Sequence, residues 1–127
     1  MNKYSVNPTF KFSDEDMLDI ISSAIYDVGY WGGVHDSNEY YEARNELSKE
    51  DRTYEDILYH MLKKGDNIVI YDVEDELETW DLTLDKLLHG IKLAIENGYW
   101  TRNMDDIDGQ VGDIIFQYAL FEEIVFG

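Results

Sequence analysis

His35, His60 and His89 are the side chains of this chain that titrate near neutral pH, and so are the first candidates for proton transfer or metal ligation. Their spacing supports neither role. None stands in a metal-binding pattern such as H-E-x-x-H, and no serine sits in a G-x-S-x-G turn. His60 falls mid-helix at the edge of an apolar face. His89 follows Asp85 by four residues, so the two are expected to pair on one helix surface. Cysteine is absent, which removes thiolate ligands, thiol nucleophiles and disulfides together. "MDDIDGQVGD", residues 104–113, has the acidity of a calcium loop but not its order. An EF-hand needs oxygen ligands at its first, third and fifth positions, glycine at the sixth and glutamate at the twelfth. Here Gly109 follows Asp108 directly and no glutamate closes the loop, so Asp108 reads as a helix cap. No catalytic set, metal or cofactor is assigned.

A second kind of chemistry belongs to aromatic surfaces. "DVGYWGG", residues 27–33, and "ENGYWTR", residues 96–102, place Gly-Tyr-Trp at two predicted helix ends. Two readings stay open. As helix punctuation, Gly29 and Gly98 take left-handed backbone, and the rings pack back over the last turn. As a site, the rings are platforms for an aromatic ligand or a guanidinium. Beyond the triplet the flanks share only a preceding acid, Asp27 or Glu96, which is too little for an internal duplication.

The third feature is charge. Ten Lys and Arg face 28 Asp and Glu, a formal net charge of −18. The folded state therefore carries a self-repulsion that salt screens. Phosphate recognition needs cations, so direct binding to nucleic acid or an anionic membrane is disfavoured and a basic partner is favoured. The acids are not evenly spread. Asp66, Asp72, Glu74, Asp75, Glu76, Glu78, Asp81 and Asp85 occur in one stretch with no Lys or Arg among them. On a strand, alternate residues lie roughly 6.6 Å apart, so such a stretch holds carboxylates at fixed spacing as an acidic ridge.

The elements that must position these groups are read from caps and periodicity. Ser13 caps a helix over about 14–28, with Asp14, Glu15 and Asp16 in its first turn and Met17, Ile21, Ala24 and Val28 on one face. Asn38 caps a short helix through Leu47. Thr53 caps a firmer one that ends at Gly65. The β-branched run at 67–73 and the stretch at 77–83 form a hairpin with a three-residue loop. Thr83 caps the next helix, stopped at Gly98. Asp108 caps the last, and "EIVFG" ends as a short strand. The fold class is α+β: about four helices packed with a small antiparallel sheet built on the one hairpin, residues 67–73 and 77–83. Residues 1–127 read as a single domain, because Pro8 is the only proline and no linker-like stretch interrupts them. No apolar run approaches the roughly 20 residues of a membrane span, and "MNKYSVNPTF" lacks a secretory leader's apolar core.

"GYW" at 29–31, "LTLDKLLHGIK" at 82–92 and "DGQVGDIIFQYALFEEIVFG" at 108–127 resemble a family of small acidic proteins carried by phages and other mobile elements of Gram-positive gut bacteria. The matching positions are Tyr30 and Trp31; then Leu82, Thr83, Lys86 and Gly90; then Asp113, Ile115, Gln117, Tyr118, Ala119, Leu120 and Phe121. The family often carries Gly after the Phe, where this chain has Glu122, and residues 34–52 depart from it. The resemblance implies a genomic setting rather than a chemistry. Small acidic proteins in that setting often inhibit host defence, as anti-CRISPR and anti-restriction proteins do.

The expected function follows from that setting and the charge: a protein inhibitor of a host defence nuclease, acting in the cytoplasm of the host bacterial cell. Its partner would be a basic host protein, an RNA-guided nuclease or a restriction enzyme, with no direct contact to nucleic acid or membrane. Asp72, Glu74, Asp75, Glu76, Glu78 and Asp81 would meet the partner's cations, with Tyr71, Trp80, Tyr30 and Trp31 as anchors. The alternative is a small-molecule binder or sponge using the aromatics near Trp31 and Trp100. An enzyme is not expected.

Overall fold

A side-chain cap opens each of the five α-helices of the computed structural model, which describes residues 11–127. Pro8 and the rest of the N-terminal stretch lie outside the described residues. Ser13 begins α1 (Asp14–Ile25), Ser37 begins α2 (Asn38–Glu46) and Thr53 begins α3 (Tyr54–Lys63). Thr83 begins α4 (Leu84–Glu96) and Asp108 begins α5 (Gly109–Phe121). Each cap oxygen accepts an amide of the first turn, and each contributes about 1 kcal/mol. The α2 cap is Ser37, one residue before the expected Asn38, because its hydroxyl accepts the Tyr40 amide at 3.1 Å.

The class is α+β as expected, with five α-helices against about four expected and a third strand paired to the expected hairpin. The sheet is antiparallel in the order β1 (Gly32–Val34), β2 (Ile68–Asp72), β3 (Asp75–Leu82). The added strand, β1, has little strand propensity of its own. It forms because Gly32, Gly33 and Val34 lie opposite Asp72, Tyr71 and Ile70 on β2. The Tyr71 ring lies across Gly33, filling the space a side chain would need.

Helix α5 sits at the centre, packed against α1 and α4. Its buried Ile115 and Phe116 join Ile20 and Ile21 of α1, Ile57 and Leu58 of α3, Leu87 and Ile91 of α4, and Ile68, Ile70 and Leu82 of the sheet in one core. The close approach depends on missing side chains. A methyl at Gly112 would lie 2.6 Å from the Ala24 amide of α1, and one at Gly90 would overlap the Ile115 carbonyl of α5. No helix among the described residues is long and apolar enough to cross a membrane.

Alanine favours a helix over glycine by about 1 kcal/mol, so a Gly90→Ala variant tests this packing against propensity. Overlap with fixed backbone is expected to win, lowering stability by about 2 kcal/mol in urea denaturation. A neutral or stabilised variant would show that α4 and α5 can part without penalty.

Candidate functional site

The first Gly-Tyr-Trp does not end a helix in the expected way. Helix α1 stops at Ile25, and the chain continues through a 3-10 turn, Val28–Tyr30, in which Gly29 keeps right-handed backbone. That turn carries Tyr30 and Trp31 to α5, where both meet one carboxylate. The Trp31 indole N–H donates to Asp113 Oδ1 at 2.8 Å, and the Tyr30 hydroxyl donates to Oδ2 at 2.6 Å. Gln117, one turn further along α5, donates its Nε2 to Asp113 Oδ1 at 3.0 Å. Asp113 is buried, and these donors are all neutral. The site thus holds an anion by hydrogen bonds alone.

Gln117 also fixes the C-terminal segment. Its Oε1 accepts the Val125 and Phe126 amides at 2.8 and 2.7 Å, and its Nε2 donates to the Phe126 carbonyl at 3.0 Å. The side-chain amide therefore offers what a neighbouring strand would offer, and "EIVFG" docks without becoming the expected strand. Docking stacks Phe126 on Trp31, centroids 5.0 Å apart and planes 4° from parallel. Trp80 and Phe121 close the cluster edge-on, 4.9 Å from each other.

The second triplet does end a helix as expected. Gly98 is left-handed at φ 81. Its amide bonds the Ile95 carbonyl, and the Tyr99 amide bonds Ala94. Trp100 is buried, stacks on Phe12 and donates to the Asn103 carbonyl. The two copies share residue types but not a role.

The hairpin bearing the acidic ridge is tighter than expected. Asp72 lies opposite Asp75, so only Val73 and Glu74 form the turn, and Glu76, Leu77 and Glu78 bulge out of register with β2. Asp72 Oδ1 accepts the Glu74 amide, and Asp75 Oδ1 accepts the Leu77 amide. These carboxylates replace the missing glycine in shaping the turn. Glu74, Asp75, Glu76, Glu78 and Asp81 are exposed, and Asp72 is half-buried. Lys86 reaches the Asp81 carbonyl, so the ridge is most purely acidic at its tip.

The proposed anchors fare differently. Trp31 is only 2% exposed, so its ring is no platform. Trp80 is half-buried in the aromatic cluster, and Tyr71 lies over Gly33 and against His35. Tyr30 remains accessible at 55%. The most exposed apolar side chain at the ridge is one the sequence reading passed over, Leu77 at 95%. Asp113 and Gln117 carried no assigned role either. Their signal was two polar residues four apart within the apolar run "VGDIIFQYALF".

The histidines stay peripheral. His60 pairs with Glu46, which Lys64 shares. His89 lies 3.7 Å from Glu122, just past the end of α5, in place of the expected Asp85. Asp108 caps α5, and Asp106 accepts the Thr101 hydroxyl. Among the described residues no group of three or more His, Cys, Asp or Glu is placed to hold a metal.

Burial pushes the Tyr30 phenol up to about 12, helped by the hydrogen bond to Asp113 and its charge. Tyr59 rises to about 12 through burial and its bond to Asp14, and Tyr54 rises to about 12 chiefly through burial. A folded-state value above the unfolded one contributes stability that is complete below pH 10 and is lost as pH rises towards 12. The urea midpoint should therefore fall across that window, and Tyr30→Phe should fall less steeply. Equal slopes would show that Tyr30 takes no part.

Removing the carboxylate in Asp113→Ala strands the Trp31 donor and loosens Gln117. The expected loss is about 3 kcal/mol, against about 1 for Asp113→Asn, which keeps an acceptor for Trp31. Equal losses would mean that charge, and not hydrogen bonding, fixes the site.

Comparison with protein-family models, with curated proteins and with solved structures finds no match to this chain.

Proposed function

We propose that this chain is a protein inhibitor of a host defence nuclease, of the anti-CRISPR or anti-restriction kind, and that its acidic β2–β3 hairpin enters a basic groove built for nucleic acid. The observation that carries the reading is the tip of that hairpin. Glu74, Asp75, Glu76 and Glu78 are all exposed there around Leu77, and no Lys or Arg occurs from Asp66 to Asp85. Leu77, 95% exposed among four carboxylates, gives the tip an apolar side chain beside its charge. A partner with cations around a small apolar pocket would use both.

Charge would bring the partners together and orient them, and Leu77 with Tyr30 would supply the apolar contacts first assigned to Trp31 and Trp80. The tip is stiffened by its own Asp72 and Asp75 bonds, which lowers the cost of ordering it on binding. The alternative of ring-stacking at the tryptophans loses support, because Trp31 and Trp100 are 2% and 3% exposed.

The test is capture by a panel of purified RNA-guided nucleases and restriction enzymes. The Glu76→Lys/Glu78→Lys variant leaves Asp75 in place to hold the turn. Its capture should weaken by at least about tenfold, with its melting temperature nearly unchanged. Unaltered capture by a folded variant would refute the hairpin as the contact.

A further inference from the structure

Beside the hairpin, a pocket of about 240 Å³ is lined by Tyr30, Trp31, Asp72, Glu74, Phe126 and Gly127. Its walls come from distant parts of the chain. Gly32 pairs with Asp72, and the Val73 amide donates to the Trp31 carbonyl at 3.1 Å, which sets the turn of the hairpin against the Tyr30–Trp31 segment. Gln117 brings in Phe126. We propose that this pocket receives the guanidinium of an arginine side chain on the protein partner.

Four observations define that occupant. Pockets for whole small molecules hold about 300–1,000 Å³, so this one suits a single side chain. It offers the aromatic rings of Tyr30 and Phe126 next to the carboxylates of Asp72 and Glu74, the pairing that a planar cation uses for stacking and hydrogen bonding at once. Glu74 is exposed, and Asp72 uses one oxygen on the turn and keeps the other. Beneath Tyr30 and Trp31 lies Asp113, an anion whose donors are neutral, so its charge is not cancelled. Tyr30, the accessible ring of the two, donates its hydroxyl to Asp113, which enriches its π-face for a cation. A compact ammonium would gain the charge but not the stacking, which favours arginine over lysine.

The inference rests on the inhibitor reading for its source of arginine, but its test is independent of capture. N-acetyl-arginine amide and N-acetyl-lysine amide would be titrated at constant ionic strength into the ¹⁵N-labelled protein. The Trp31 indole N–H and the Glu74 amide are the reporters. The expected result is a saturable shift at both, stronger for arginine, and weakened roughly threefold in Glu74→Gln. Because Glu74 is exposed, that variant should fold. No saturable shift, a shift equal for lysine, or an unchanged Glu74→Gln would overturn the pocket. If the pocket fails while the Glu76→Lys/Glu78→Lys variant still loses capture, the hairpin reading stands without it. If arginine binds but that variant is captured normally, the hairpin reading fails and the pocket stands.

Discussion

The Asp113 carboxylate is the constraint around which one end of this molecule is arranged. A buried ionised carboxylate is costly unless its oxygens are bonded. Here the bonds come from the turn after α1, through Tyr30 and Trp31, and from Gln117 on the same helix. Gln117 in turn holds the last residues of the chain. One polar group thus specifies where three separate segments meet. An apolar residue at position 113 could fill space, but could not demand two particular donors in one geometry. The three donors are neutral, so the demand is met without neutralising the charge, and the negative character of this end is not confined to its surface.

Rigidity and contact are assigned to different residues. The aromatic side chains that look like binding platforms are mostly internal: Trp31, Trp80, Phe121 and Phe126 form one cluster. They give the hairpin a fixed base, to which it is tied by the Val73 amide and by pairing of β2 with β1. What the hairpin turns to solvent is simpler chemistry, chiefly carboxylates with Val73 and Leu77 between them. A stiff acidic projection loses little entropy on docking, and its charge acts over about one Debye length, roughly 8 Å at physiological salt.

Residues from distant stretches of the sequence acquire physical reasons. Tyr30, Trp31, Asp113 and Gln117 form one hydrogen-bonded network, though they come from two distant parts of the sequence. Gly90 lets α4 lie on α5. After Phe121, Glu122 adopts left-handed backbone at φ 60, the region glycine occupies most easily. The conformation of that position is therefore dictated by how α5 ends, and this chain meets it with a residue that also lies beside His89.

The sequence alone determined most of what closes within a few residues. Thr53, Thr83 and Asp108 cap amides three residues on, and Gly65 and Gly98 reverse the chain at two helix ends. The apolar faces, the α+β class and the acidity of the hairpin were legible for the same reason, since period and composition are local. The tertiary structure decided the rest. Strand β1 exists because β2 is there to pair with it. Gly29 is not a left-handed stop because Tyr30 and Trp31 must reach a partner 83 and 82 residues away. The C-terminal segment is not a strand because a side-chain amide satisfies it first. The hairpin turn is a local exception: Asp72 and Asp75 bond amides two residues on, a closure that the strand pattern does not reveal. A buried carboxylate chooses its donors by position in space, and nothing in local spacing records that choice.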